Sequence, residues 1–308
     1  MQRSLYMANN ALEYNKAYDK EAVFAMNNLL EPNSVDLIVA DLPYGVTANK
    51  YDKVIPYEDM WNAIHRVAKP NAAIVLFGQS KFYIQMCASN IDEFRHDYCW
   101  NKKMTSGFLN AQYQPLRQHE NIAVFYRETP TYNPQFSIGP KLHSQGNAKT
   151  ERLSNNNYDK FNAINNNRAG LSEKYPTSIL NFPVKNKDIS FYADGIEREN
   201  QIFEINDFLT FQKIHPSKAI HQTEKPQNLL DFLIKTYSNQ GDLVLDFCCG
   251  SGSTLLSAIK NKRNAIGFDF GVCLNPKSQY YNMKWADITN MRIQEYYDSP
   301  EQMSLFAI

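Results

Sequence analysis

The chain has 308 residues, of which 43% are hydrophobic, and its 32 basic and 32 acidic residues give a formal net charge of zero. This hydrophobic content is ordinary for a folded soluble protein. Because the sequence has no apolar run of about 18 residues, we predict no membrane-spanning helix. The N-terminal sequence lacks the apolar core of a signal peptide, and the five cysteines have no metal-site spacing, so we predict a cytoplasmic protein with reduced thiols and no metal.

The first half of the chain alternates apolar segments with segments of helical spacing. In order, the predicted elements are a strand over 34–41, a helix over 57–69, a strand over 72–77, a helix over 79–90 and strands near 94–100 and 121–127. Alternating strands and helices are typical of a parallel sheet that is covered by helices on both faces.

Residues 130–215 have a different character. Seven of the thirteen residues 155–167 are Asn, and neither a helical nor a strand period holds, which predicts an irregular insertion. Residues 95–187 carry 13 Lys and Arg against 6 Asp and Glu. This local excess of positive charge favours a polyanionic partner, with a solvated polar surface as the alternative interpretation.

A second strand–loop–helix–strand unit follows the insertion. Pro226 is expected to open a helix, and the later elements are a strand over 243–247, a helix over 255–262 and a strand over 264–270. The two halves together predict an α/β fold of the Rossmann-like, doubly wound type.

The loop between the first strand and helix of this unit predicts a cofactor site. Asp246 is followed by Gly250, Ser251 and Gly252, and the next strand ends at Asp269. Glycines allow close approach of the backbone to a ligand, and the acid about 20 residues later is the type that binds ribose hydroxyls. Because the loop is not G-x-G-x-x-G, a nucleoside cofactor other than a dinucleotide is favoured. Asp246 before the loop and Asp269 after it favour cofactor binding over a plain packing turn.

The stretch DLPYG ends the first buried strand with a carboxylate, Asp41, followed by Leu42, Pro43 and Tyr44. A proline turn explains part of it, but ligands of open α/β sheets bind at the carboxyl ends of strands. Asp41 and the Leu42 carbonyl would accept the hydrogens of an exocyclic amine, while Pro43 stiffens the loop and Tyr44 stacks on a flipped base.

Both motifs, in this order, resemble those of the amino-group DNA methyltransferases of the permuted (beta) class. DLPYG is similar to their Asp-Pro-Pro-Tyr pattern, and HQTEKPQNLLDFLIKTYSNQGDLVLDFCCGSGST resembles their His-Pro-Thr-x-Lys-Pro helix and Asp-Pro-Phe-x-Gly-Ser-Gly-Thr loop. TSGFLNAQYQPLRQHENIAVFYRETPTYNPQ resembles phage and prophage adenine methylases. The likeness covers roughly 17–140 and 215–285. Leu42, Gln222 and Phe247 stand where the family pattern has proline, Cys248 replaces its Phe and Ser253 its Thr.

The resemblance implies S-adenosylmethionine as cofactor and one methyltransferase domain formed by 1–128 and 215–290, with a target-recognition insertion at 129–214 and a tail at 291–308. It places Asp269 on the ribose and Asp19 near the adenine. The residues expected around the methionine end are Asp246, Cys248, Gly250, Ser251, Gly252, Thr223 and Lys225.

The resemblance further implies methylation of adenine N6 in double-stranded DNA by base flipping, and it is compatible with a homodimer. Basic residues in and before the insertion are the candidate DNA contacts. They are Lys102, Lys103, Arg117, Arg127, Lys141, Arg152 and Arg168.

The C-terminal QMSLF resembles the short peptides that bacterial replication proteins insert into the sliding clamp. Gln302, Leu305 and Phe306 would make that contact, and packing of the two apolar residues on the chain's own surface is the alternative.

Three other functions compete with adenine methylation. Cytosine-N4 methylation keeps the fold and mechanism, RNA methylation is disfavoured by the long insertion, and a decayed DNA- or clamp-binding protein is disfavoured by the intact Asp41, Pro43, Tyr44, Gly250 and Gly252.

Overall fold

The computed structural model describes residues 12–45, 53–138, 172–180, 224–276 and 278–299. The strands among these residues are β1 (Lys16–Tyr18), β2 (Val35–Asp41), β3 (Ala68–Gly78), β4 (Phe94–Ser106), β5 (Arg117–Phe125), β6 (Ser137–Ile138), β7 (Glu173–Lys174), β8 (Ile179–Leu180), β9 (Leu243–Asp246) and β10 (Asn264–Phe268). Eight of them form one sheet in the order β1-β10-β9-β2-β3-β5-β4-β8, and a two-stranded ribbon, β6-β7, lies outside it.

Helices cover both faces of the sheet, as the sequence predicts for a Rossmann-like α/β fold. They are α1 (Ala22–Asn28), α2 (Tyr57–Val67), α3 (Ser80–Ala88), α4 (Gln227–Tyr237), α5 (Ser253–Lys260) and α6 (Trp285–Tyr297). Alternate side chains of β2 point to opposite layers. Leu37 and Val39 pack in the cluster of α4, α5 and α6, whereas Ile38 and Ala40 pack in the cluster of α1, α2 and α3. None of the described helices is both long enough and apolar enough to cross a membrane.

The strands that carry the two motifs lie side by side. Leu37 and Ile38 of β2 pair in parallel with Val244 and Leu245 of β9, although about two hundred residues separate them along the chain. β10 pairs in parallel with β9 on the other side. Because all three strands run in one direction, their carboxyl ends meet at the same edge of the sheet, where open α/β sheets bind ligands.

One strand departs from the parallel arrangement that the alternation of strands and helices predicts. β5 pairs antiparallel with both β3 and β4. The connection between β4 and β5, residues 107–116, is too short for the crossover that parallel neighbours require, so the two strands form a hairpin. Consequently the start of β5 and the end of β4 reach the same edge of the sheet as the carboxyl end of β2.

Two regions of the predicted domain division contain regular structure. α6 runs across residue 291, where the predicted tail starts. Within the predicted irregular insertion, the described residues include three short strands, β6, β7 and β8. β8 extends the large sheet by pairing in parallel with β4.

Candidate active site

Three carboxylates end three adjacent strands at one edge of the sheet. Asp41 closes β2, Asp246 closes β9, and Asp269 directly follows β10. All three line one open cleft, together with residues of both predicted motifs, among them Pro43, Lys225 and Gly250. The structure therefore joins the two sequence motifs in a single site.

Asp269 holds the glycine-rich loop in place. Its Oδ2 accepts a hydrogen bond from the Gly250 amide at 3.0 Å, and its Oδ1 accepts one from the Gly271 amide at 2.7 Å. Burial raises the pKa of Asp269, and these two amides oppose that shift. Because an ionised carboxylate has about four lone-pair positions, two remain for the hydroxyls of a ligand.

Asp246 is the most deeply buried acid of the cleft, with 3% of its surface exposed. Burial raises its pKa to about 7, although the Thr254 side chain and the Cys248 amide donate hydrogen bonds to it. Asp41 and Asp269 add negative charge to the same region and raise the pKa further. A ligand with positive charge beside these acids would relieve their repulsion and keep Asp246 ionised.

The loop itself is closed from behind by α6, which the sequence analysis missed. Gly252 precedes α5 with a φ of 79°, a left-handed conformation that favours glycine. Thr289 of α6 is fully buried against this loop and donates a hydrogen bond from Oγ1 to the Gly250 carbonyl at 2.9 Å. Arg292 of α6 donates to the Ser251 carbonyl and to Glu224 Oε1. The helix therefore anchors both the loop and the segment that precedes α4.

The catalytic candidates of DLPYG surround Asp41. The Tyr44 hydroxyl donates to Asp41 Oδ1 at 2.8 Å, and the Tyr44 ring packs on Phe82 with 4.8 Å between ring centroids. Leu42 is buried and Pro43 lines the cleft. The motif thus presents a carboxylate, a proline and one ring next to the cleft.

Lys225, which the sequence resemblance places at the methionine end of the cofactor, contacts the catalytic motif in the structure. Its Nζ is 2.6 Å from Asp41 Oδ2 and 3.5 Å from Glu120 Oε2. The ammonium also lies over the rings of Phe77 and Trp100, at 4.8 and 6.0 Å from their centroids. Burial alone would lower the pKa of Lys225, but the two carboxylates outweigh it and raise the pKa.

Two of the predicted DNA contacts are engaged within the protein. Lys102 is buried and pairs with Glu120 at 3.0 Å. Arg127 lies just beyond β5, at the edge opposite the cleft, and donates to the carbonyls of Ala68 and Lys69. Their positions do not suit phosphate contacts, and we leave both out of the DNA surface proposed below.

Other predicted residues fall at the edge of the sheet or outside the description. Arg117 donates to Gln79 Oε1 at 3.1 Å, on the cleft side of the sheet. Asp19 follows β1 and pairs with Lys284. The remaining residues, or in one case the side chain, lie outside the described part of the chain: Lys103 (side chain), Lys141, Arg152, Arg168, Thr223, Gln302, Leu305 and Phe306.

Comparison with known proteins agrees with this architecture. The type II methyltransferase M.HpaI of Haemophilus parainfluenzae is 24% identical over 257 residues, which span 80% of this chain and 68% of that protein. The M1.HpyAVI–SAM complex superposes with a TM-score of 0.50 at 15% identity, covering 90% of this chain and 98% of the other. The cytosine-N4-specific PvuII DNA methyltransferase superposes with a TM-score of 0.50 at 14% identity, covering 90% and 92%.

The two structural likenesses show a shared fold. A stronger statement comes from the N6/N4 DNA methylase family, whose sequence profile matches residues 35–271 and therefore both motifs and the sheet that joins them. Since this match spans well over half of the chain, the protein belongs to the N6/N4 DNA methylase family.

Proposed function

We propose that the protein transfers a methyl group from S-adenosylmethionine to the N6 amino group of adenine in double-stranded DNA, as a member of the permuted class. The observation that carries the proposal is the single cleft in which Asp41 faces Asp246 and Asp269. An amine acceptor and a nucleoside site lie side by side there, as methyl transfer between two bound molecules requires.

The cleft fits the proposed methyl donor chemically. S-adenosylmethionine carries two positive groups, a sulfonium and an ammonium. Burial raises the pKa of Asp246 to about 7, so a nearby cation would favour its ionised form. Asp269 has spare acceptor capacity for ribose hydroxyls. Amides of the Gly250–Gly252 loop and the start of α5 suit the ligand's carboxylate.

The residues of the chain then have distinct tasks in the reaction. Asp41 and the Leu42 carbonyl accept the two hydrogens of the flipped amine, which favours a tetrahedral nitrogen with a free lone pair. Tyr44, whose ring packs on Phe82, stacks on the base. The methyl group arrives already activated by the positive sulfur, so alignment of nitrogen, carbon and sulfur supplies most of the acceleration. The proton released by the amine passes to Asp41 or directly to water.

Nucleoside analysis tests the proposed base. Unmodified double-stranded DNA is incubated with the protein and S-adenosylmethionine labelled in its methyl group, then digested to nucleosides. We expect the label in N6-methyladenine. Label in N4-methylcytosine would overturn the choice of base but keep the mechanism, whereas transfer to RNA alone would overturn the DNA substrate.

The proposed DNA surface includes the β4–β5 connection, residues 107–116. Phe108, Leu109 and Tyr113 in it are 66%, 97% and 86% exposed. The segment 98–119 contains no acidic residue. Arg117, where β5 starts, stands about 16 Å beyond the level of Asp41, since five strand residues separate it from Ile122. Exposed rings and cations without acids, raised above the catalytic edge, suit contact with bases and phosphates.

We predict that Leu109→Ala/Tyr113→Ala weakens DNA binding by roughly tenfold or more, because loss of the Tyr113 stacking contact costs about 1–3 kcal/mol and an apolar contact of Leu109 is lost as well. S-adenosylmethionine binding should be unchanged. Fluorescence anisotropy with a labelled duplex measures the affinity. Tyr14→Ala is the matched control, because Tyr14 is 56% exposed but precedes β1 at the opposite edge of the sheet. Equal losses in both variants would contradict the placement of DNA on the connection.

We predict that affinity for S-adenosylmethionine rises with pH between 6 and 8. The Asp246 carboxyl, whose pKa is raised to about 7, must lose its proton to face a cation, so binding releases a proton below that pH. By the same linkage, the contribution of Asp246 to the stability of the unliganded fold falls as pH rises from about 4 to 7, because this carboxyl holds its proton more tightly in the folded state than in the unfolded state. Calorimetric titration of wild type and Asp246→Asn tests this. Any titration of the ligand itself affects wild type and Asp246→Asn equally. The same pH dependence of S-adenosylmethionine affinity in both proteins would therefore refute the role of Asp246.

Target recognition by the insertion, the homodimer and the clamp contact of QMSLF remain proposals that rest on the sequence resemblance. A pull-down with purified sliding clamp tests the last of these. Wild type should be retained and Leu305→Ala/Phe306→Ala lost, and equal retention would refute the contact.

A further inference from the structure

A row of alternating charges leads from the β4–β5 hairpin to the catalytic carboxylate. Lys102 on β4 pairs with Glu120 on β5 at 3.0 Å, Glu120 lies 3.5 Å from Lys225, and Lys225 lies 2.6 Å from Asp41. The side chains are 5%, 10%, 8% and 17% exposed in that order. Only Asp41 and Lys225 of the four line the cleft.

The burial of four charges needs an explanation beyond stability. Desolvation makes buried ion pairs costly, and apolar residues of similar size often stabilise a fold equally well. Here the positive and negative charges balance within the row, which lowers that cost, and the row ends on the carboxylate at the reaction site. A functional demand on Asp41 accounts for this arrangement.

The demand follows from the other acids of the cleft. Asp41 and Asp269 both act on Asp246 by charge repulsion. The acids repel one another, so Asp41 can accept the amine in a defined geometry only if its carboxylate is held in place. Lys225 supplies the opposite charge at Oδ2, and Tyr44 donates to Oδ1. Asp41 keeps free lone-pair positions for one amine hydrogen, and the Leu42 carbonyl accepts the other.

Glu120 determines how firmly Lys225 holds Asp41. Its carboxylate lies on the other side of the same ammonium, so Lys225 is shared between two acids. Lys102 in turn neutralises Glu120. The lysine is further confined by the faces of Phe77 and Trp100. Its position is thus set by residues of β3, β4 and β5 that do not line the cleft.

We propose that Glu120, backed by Lys102, is a positioning residue that sets how the Lys225 ammonium is shared with Asp41 and thereby orients Asp41 as an acceptor of the target amine. This inference rests on the proposed function. It assigns Lys225 to the catalytic carboxylate, whereas the sequence resemblance assigns it to the cofactor. It also gives Lys102 a role within the protein in place of its predicted contact with DNA.

Two single variants that change the net charge of the row in opposite directions test the proposal. The measured quantity is the pH dependence of kcat/KM for DNA, in particular its acidic limb, where activity falls as pH is lowered. Glu120→Gln adds one positive charge to the row, so the acidic limb should move to lower pH. Lys102→Met adds one negative charge and draws Lys225 towards Glu120, so the limb should move to higher pH and kcat should fall about tenfold or more. Each shift should be on the order of half to one pH unit. The KM for S-adenosylmethionine should change less than twofold.

The double variant Lys102→Met/Glu120→Gln restores neutrality and should return the acidic limb close to its wild-type position. Lys69→Met is the control for a distant charge, since Lys69 pairs with Asp36 at the opposite end of β2. It should leave the limb in place. Shifts of the two single variants in the same direction, or no shift in either, would overturn the proposal, because a merely structural role predicts loss of stability without opposite shifts.

A second readout needs no activity and separates this proposal from the proposed function. In protein labelled with ¹⁵N at lysine ammonium groups, the Lys225 resonance is assigned by its absence in Lys225→Arg. Glu120→Gln and Asp41→Asn should each move it. If the wild type methylates no DNA but the resonance moves, the proposed function fails and the charge row stands. If DNA is methylated but Glu120→Gln leaves the resonance unmoved, the charge row fails alone.

Discussion

Asp41→Ala is expected to lower methyl transfer to DNA by at least about a hundredfold, the usual effect of removing one group that acts on the reacting atoms. The variant removes an acceptor of the amine hydrogens. It also removes one of the two carboxylates that pair with Lys225 among the described residues, so that Glu120 remains. The cofactor loop is held by Asp269 and by α6, so S-adenosylmethionine binding should change only a few-fold.

Asp41→Asn is the informative companion of this variant. Asparagine keeps the size and one acceptor oxygen but removes the charge, so activity should fall between those of wild type and Asp41→Ala. Single-turnover transfer from labelled S-adenosylmethionine measures both, and thermal unfolding verifies that the variants are folded. Full activity of Asp41→Ala would exclude Asp41 from the reaction, and a folded variant that no longer binds the cofactor would place Asp41 in the cofactor site.

Gly252→Ala is expected to have the largest effect on stability. A Cβ at this position would lie 2.7 Å from Thr289 Oγ1 and closer still to Thr289 Cγ2, and Thr289 is fully buried on α6. The left-handed φ of 79° adds strain. Together these effects should lower the free energy of unfolding by about 2–5 kcal/mol and weaken S-adenosylmethionine binding, because the loop must move.

Two further variants separate the causes. Gly241→Ala carries similar strain at a φ of 89° but has no atom within 4 Å of the new Cβ, so it should cost only the conformational part. Gly252→Ala/Thr289→Ser removes the Cγ2 atom while keeping the hydroxyl that binds the Gly250 carbonyl, so it should recover part of the loss. Denaturant unfolding measures all three. Equal losses for Gly252→Ala and Gly241→Ala would show that contact with α6 is unimportant.

Much of the fold could be predicted because its signals are local. The apolar run that ends at Asp41 and the Leu243–Asp246 run are buried strands, and the helical spacing of 57–69 appears as α2 with a small change at its end. The helical layers on both faces follow from the alternation of these elements. β1 was missed because a strand of three residues has too little pattern to detect. α6 was missed because its buried residues are scattered among polar ones.

The direction of β5 shows what an apolar pattern leaves open. Parallel and antiparallel strands that are buried on both faces have the same composition, and the distinguishing feature is the connection before the strand. Residues 107–116 are too few for a crossover helix, so the length of this connection indicates a hairpin. The outcome matters for function, because the antiparallel strand brings Glu120 to the catalytic edge of the sheet, close to Lys225, and raises the exposed connection above that edge.

The sequence by itself determined the α/β class, the two motifs and the family resemblance, because the strands, the glycine loop and DLPYG are each written in a few consecutive residues. Only the tertiary structure decided which groups act together. Lys225 meets Asp41 across 184 residues, and Thr289 closes the Gly250 loop across 39. Whether a lysine binds DNA, a cofactor or a buried carboxylate depends on which acid lies next to it. Glu120 lies next to Lys102 and Lys225 only when β4 pairs with β5 and the segment before α4 packs beside them.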